Sequence, residues 1–168
     1  MSESEMKELE NEIQELFKAG FDCGQVVLAG HAKKLGLDID QANRISACFG
    51  GGMFSGDTCG AVVAALMAIG LKYGHCRPDT PDTKYQCRTK VYEFKRKFLE
   101  RYNSTICREL LTFDIGKPEE FEIILKKGLL FSFCPKVAAY AIEILSEILQ
   151  EDGKQHKRPK NKSGEVRP

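Results

Sequence analysis

The sequence lacks a long apolar run, an excess of one charge, an alternating strand pattern and any closely spaced cysteine pair. Each absence narrows what the chain can be. The longest apolar run among its 168 residues is the 13 from Cys59 to Leu71, against about 20 for a membrane-spanning helix. The opening MSESEMKELENE is acidic and polar, whereas a secretory signal needs a basic end and then an apolar stretch. These readings predict a cytoplasmic protein with no membrane partner. Lys plus Arg number 25 and Asp plus Glu 24, a net charge of +1, so the whole chain makes no electrostatic case for nucleic acid. Between Gly153 and Pro168, six Lys or Arg stand against one Glu, leaving a tail of +5 on a body of −4. That tail has no aromatic residue to stack on bases and reads as a disordered, solvated end.

What is present is an ordinary globular body. It is 42% hydrophobic and 29% charged, which excludes wholesale disorder. At roughly 150 residues per domain the chain is one domain, residues 1–152, with a tail from 153 to 168. Helical periodicity recurs throughout. Leu9, Ile13, Leu16 and Phe17 form one apolar stripe ended by Gly20. Asp22 is placed as an N-cap with Gln25 in the capping-box position, opening a helix that Gly36 stops. A short helix is expected near Asp40 to Phe49 with Ile45, Cys48 and Phe49 on an apolar face. After the glycine-rich loop Phe49 to Gly56, Thr58 or Asp57 is placed to cap CGAVVAALMAIGLKY. That segment is apolar nearly all round, so it should be the buried central helix. Thr80-Pro81 opens a helix with Cys87, Val91, Phe94 and Phe98 inward. CRELL forms a short helix, Pro118 starts another that Gly128 stops, and Cys134-Pro135 opens the last. The expected fold class is all-α, a compact bundle of about five to seven helices. An apolar central helix is compatible with a homodimer without requiring one.

Seven cysteines are the unusual feature of a chain placed in a reducing compartment, where rich cysteine usage points to metal binding or redox chemistry. Cys48 and Cys87 fall on predicted apolar faces, where packing accounts for them. Cys76 lies in a loop. The remaining four, Cys23, Cys59, Cys107 and Cys134, are each predicted within the first turn of a helix. That address favours a thiolate through unpaired N–H groups and the helix dipole, by about 0.3–1 kcal/mol. If the four converge, their charges demand a cation or cluster between them, or disulfide pairing. Their spacings match no standard zinc or ferredoxin run, so four separate helix-start cysteines remain an open reading on spacing alone.

The segments FDCGQVVL, FGGGMFSGDTCGAVVAALMAIGLKYG, ICREL and SFCPKVAAYA carry those four cysteines in order. Together they resemble the redox-active protein family C_GCAxxG_C_C, whose members share four cysteines and a Cys-Gly-Ala-x-x-Gly motif. The resemblance runs from Phe21 to about Val137. One departure is Ala64, where the motif ends in Gly. It adds a methyl group to a close helix contact and removes no ligand. A similar domain occurs in split-Soret cytochromes, which combine haem with an iron–sulfur centre. The resemblance therefore implies an iron–sulfur cluster on Cys23, Cys59, Cys107 and Cys134, with Gly60 beside them, and electron transfer to a redox partner not named by the sequence. Zinc is the runner-up occupant. No C-x-x-C-H is present, so covalent haem attachment is not expected. Two rival functions stay open: a metal-free thiol–disulfide oxidoreductase using helix-start thiols of lowered pKa, and a zinc-stapled or metal-free helical interaction module.

The loop Gly50-Gly51-Gly52 lacks G-K-[ST] and a preceding strand, so it is neither a P-loop nor a Rossmann turn. Its glycines are read as permitting close backbone approach and unusual dihedrals beside the cysteines, with N–H groups available to sulfur. His31 and His75 are read as ordinary packing and surface histidines.

Overall fold

The fold is known from a computed structural model that describes residues 1–150; the basic segment expected at 153–168 lies outside the described residues. Its α-helical segments run in chain order as α1 (Glu3–Lys18), α2 (Cys23–Leu35), α3 (Ile39–Ser46), α4 (Gly60–Tyr73), α5 (Pro81–Arg101), α6 (Cys107–Leu111), α7 (Pro118–Lys126), α8 (Leu129–Ser132) and α9 (Cys134–Gln150). Among the described residues there is no strand, only one isolated antiparallel bridge between Thr58 and Ile106. The class is all-α, as expected. The short α8 takes the segments past five to seven, because Gly128 in the left-handed conformation turns the chain at once into a further helical turn.

Local sequence sets the boundaries. Gln25 Oε1 accepts the Asp22 backbone N–H at 2.9 Å, which fixes the start of α2. Gly36, at φ 67°, stops it. Thr112, at φ 59°, ends α6 after five residues. Asp57 and Thr58 do not cap α4, contrary to expectation. Cys59 itself is the N-cap residue, because Thr58 is held extended in the bridge to Ile106 and the Asp57 carboxylate turns outward to Arg108 at 3.3 Å.

α4 is the buried centre. Ala61, Val62, Ala64, Ala65, Ala68 and Ile69 are all shielded from solvent, and α2, α5 and α9 pack around them. Small side chains on α4 let its neighbours come close. Ala64 is buried in this contact, so the methyl group that replaces the motif's glycine is absorbed in the core. α5 turns Phe94 and Phe98 inward, with Cys87 and Val91 at the edge of the core. Leu129–Gln150 is long and apolar enough, by length and composition, to cross a membrane (22 residues, mean hydropathy 1.5). Its apolar face, from Val137 to Ile148, is core.

The α3 expectation fails in detail. Ile45 and Cys48 are exposed, and the buried residues of α3 are Ala42 and Ser46. The chain leaves the α-helix at Ser46 for a tight turn over Ala47–Phe49. A register extrapolated through residue 49 therefore places the wrong side inward.

A second, smaller cluster comprises Cys107, Leu111 and Ile124, with Ile115, Leu130, Phe133 and Cys134 packed on it. Cys59 belongs to the main core, and Cys23 packs against that core. The four helix-start cysteines therefore straddle the seam between the two clusters. Phe98 is fully buried and stacks on Phe94 at 5.9 Å between ring centroids, so Phe98→Ala should cost about 3–5 kcal/mol in a denaturant-unfolding experiment. Its exposed neighbour Leu99, changed to Ala, should move stability by no more than about 0.5 kcal/mol.

Candidate functional site: a cavity bordered by four cysteines

Cys23, Cys107 and Cys134 are the first residues of α2, α6 and α9, and Cys59 is the residue that caps α4. All four line one cavity of about 330 Å³. Cys48, Cys76 and Cys87 are elsewhere, the first two exposed. No described cysteine is in a disulfide.

Two devices bring the helix starts together. The first joins Cys59 to Cys107. The Cys59 N–H donates to Thr105 O at 2.8 Å and the Cys107 N–H to Asp57 O at 2.6 Å. This short two-stranded clamp holds both cysteines at adjacent positions. Asp-Thr-Cys and Thr-Ile-Cys are its only sequence trace, and periodicity could not reveal it. The second joins α2 to α4 through glycine. A Cβ on Gly60 would sit 2.7 Å from Cys23 Sγ and closer still to the Phe49 carbonyl oxygen. Gly60 therefore has no room for any side chain.

The glycine loop lies over this junction. Gly51 (φ 56°), Gly52 (φ 61°), Met53 (φ 58°) and Phe54 (φ 57°) are all left-handed, making a left-handed turn of four residues. For Met53 and Phe54 this conformation costs roughly 1–2 kcal/mol each. The turn is closed by the Asp57 N–H donating to Gly52 O at 3.0 Å. Arg108 braces it through Ser55 O and Asp57 Oδ1, both at 3.3 Å. The Gly51 backbone faces the Cys23 sulfur closely enough to favour its anion.

Electrostatics within the cavity run opposite to the helix-start expectation. Cys23 is held well above the usual thiol range, first by the nearby Cys59 thiol, then by burial, with only the Gly51 N–H pulling it down among the leading causes. Burial pushes Cys134 well up, reinforced by Cys23 and Cys107. Cys107 rises from 9.0 to about 12 through burial, then through Cys23 and Asp114. That rise is worth on the order of 4 kcal/mol, against about 0.3–1 kcal/mol from a helix end. Desolvation wins at Cys23, Cys107 and Cys134, whose thiols are protonated at neutral pH. Lowered thiol pKa values, the premise of a metal-free thiol exchange enzyme, are corrected by these shifts.

Among the described residues, no group of three or more His, Cys, Asp or Glu is arranged to hold a metal ion. The histidines stay out of the cavity. His31 is buried between Val27 O at 3.2 Å and Ser146 Oγ at 3.1 Å, and His75 is exposed. Most of the lining is apolar and was invisible to motif reading. Phe17, Ile115, Leu130 and Phe131 come from segments singled out only for helix periodicity, or not at all.

A family model described as "Putative redox-active protein (C_GCAxxG_C_C)" matches residues 21–148. The chain belongs to the C_GCAxxG_C_C family. The match spans all four cavity cysteines, the glycine loop and α4. No curated protein and no solved structure matches the chain. For this member of the C_GCAxxG_C_C family, a redox role is consistent with the family's description, and the four-cysteine cavity is where sulfur chemistry is concentrated.

Two predictions follow from the geometry. Gly60→Ala should destabilise the fold by about 1–3 kcal/mol through overpacking. Gly70→Ala, in the same helix with nothing within 4 Å of the added carbon, should stabilise it by about 0.5–1 kcal/mol. Denaturant midpoints of the two variants decide this. In the metal-free chain the folded state holds the Cys107 proton more tightly than the unfolded state does. Stability should therefore be full below the unfolded value of 9.0 and fall as pH rises towards about 12. Unfolding midpoints from neutral pH upward should show that decline, and Cys107→Ser should flatten part of it.

Proposed function

We propose that the protein is a small electron carrier in which Cys23, Cys59, Cys107 and Cys134 hold an iron–sulfur cluster and pass single electrons to a partner protein in a reducing compartment. The supporting observation is that four cysteines from four separate helix starts border one cavity. Four thiolates are a full ligand set for such a cluster. When bound, the cluster supplies the one-electron chemistry.

Four sulfurs bordering one cavity need gather less closely around an inorganic core of several atoms than around tetrahedral zinc, which at about 2.3 Å from each sulfur requires sulfurs roughly 3.8 Å apart. The core would take the inner end of the cavity. The chain's own residues set its surroundings. The Gly51 N–H lies against the Cys23 sulfur, a contact of the kind that tunes potential. Leu111, Ile115 and Val137 keep water from the sulfurs. The raised thiol pKa values make loading release protons, so affinity should rise with pH.

Thiol–disulfide exchange is the second reading, and one observation favours it. The Cys59 thiol is near enough to Cys23 to be the leading cause of its raised pKa. Against it stands the suppression of thiolate at neutral pH. Anaerobic purification with iron and sulfide analysis and a visible spectrum separates the two. The expected result is iron and sulfide together with visible absorption, lost in Cys107→Ser and Cys134→Ser but kept in Cys48→Ser. Colourless, iron-free protein that forms a Cys23–Cys59 disulfide on mild oxidation would select the second reading.

A further inference from the structure

The cavity extends beyond the four helices that supply its sulfurs. Phe17 comes from α1, Phe121 from α7, and Leu130 and Phe131 from α8, none of which carries a lining cysteine. Its rim is unusual for a soluble surface. Phe54 is 61% exposed, and Phe21 and Phe131 are each 37% exposed. Three phenylalanines open to solvent around a concave, apolar chamber need an explanation other than packing. Among the described residues, Asp22 is the only ionisable lining group besides the thiols, and none of them brings a cation to the lining. The whole cavity, about 330 Å³, is at the lower end of the range of small-molecule sites, about 300–1,000 Å³, so beside a cluster at the sulfurs a ligand would keep to its mouth.

We infer that the mouth of this cavity binds a neutral, flat, apolar organic molecule, seated between Phe131 and Phe21 with its inner edge towards the sulfurs. A ring system stacks on phenylalanine faces, and the absence of a cation among the described lining residues disfavours an anion. A concave chamber of this size takes a whole small molecule more readily than a protein surface, which would have to thread a side chain through it. The inference rests on the four-thiol reading for why a ligand lies beside sulfur; its binding rests on the chamber alone.

The test uses the full chain, both as purified anaerobically and after metal removal, with the neutral fluorophore N-phenyl-1-naphthylamine as probe. A saturable fluorescence rise with one site per chain is expected in both forms. Phe131→Lys and Phe21→Lys place charge at the rim and should each weaken the probe at least about tenfold, with helical circular dichroism and thermal midpoint unchanged. In the metal-free form the probe should also slow maleimide labelling of Cys23 and Cys134 while leaving exposed Cys48 and Cys76 unaffected, read residue by residue by mass spectrometry. Absence of saturable binding in both forms overturns the inference. So does binding that the rim variants and the cavity cysteines do not register. Binding only after metal removal also overturns it, because the chamber would then be the cluster's own room. Protein that is already iron-free as purified anaerobically and still binds the probe as described would end the cluster reading while the ligand site stands.

Discussion

The structure depends on a desolvation conflict: four sulfurs line an apolar chamber that opposes the charging of three of them, Cys23, Cys107 and Cys134. A helix start offers each thiol a small stabilisation of its anion, but burial and neighbouring sulfurs overwhelm it at Cys23, Cys107 and Cys134. The fold therefore carries its most polarizable side chains in protonated form at the seam between two hydrophobic clusters. A multivalent cationic core would reverse that balance, since it deprotonates coordinating thiols outright. It would also tie Cys23 and Cys59 of the main core to Cys107 and Cys134 of the smaller cluster. Under the proposed cluster reading, loading would be coupled to the docking of α6, α7 and α8 onto the bundle.

Much of the surrounding architecture serves that convergence. The Thr58–Ile106 bridge sets Cys59 beside Cys107. Gly60 lets α4 approach Cys23 and Phe49 at a distance that excludes a side chain. The left-handed turn over Gly51–Phe54 is the costly part. Two of its four residues are not glycine, and their strain of roughly 2–4 kcal/mol in all is offset by the Gly52–Asp57 hydrogen bond and by Arg108. The turn also does two jobs at once, aiming the Gly51 N–H at sulfur and holding the Phe54 ring at the rim.

Elements written in local chemistry were legible in the sequence. The Asp22–Gln25 start, the Gly36 stop, the apolar α4 and the inward Phe94 and Phe98 each follow from residues within one or two turns of each other. Helix-start positions for all four cysteines were legible for the same reason. What failed was non-local. Asp57 was free to be drawn as a cap until Arg108, fifty-one residues away, is seen to hold it. Ile45 and Cys48 looked inward only while the helix was extended through a turn that changes its pitch at Ser46. The sign of the thiol pKa shifts could not be read from helix starts, because it is set by what closes over them, namely Leu111, Ile115 and Leu130 from segments far along the chain.

The family motif shows where such local and non-local information meet. In Cys-Gly-Ala-x-x-Gly, the first glycine is Gly60 and the last is replaced by Ala64. The two positions are one helical turn apart, so both could face α2, yet only one demands glycine. Gly60 meets backbone and a sulfur that have nowhere to go. Ala64 lies deeper, among the small and branched side chains of the core, where an added methyl is accommodated by packing. Tolerance at the motif's sixth residue and intolerance at its second is what the geometry requires if the motif's purpose is the approach of α4 to Cys23. The departure at Ala64 therefore leaves the sulfur site intact.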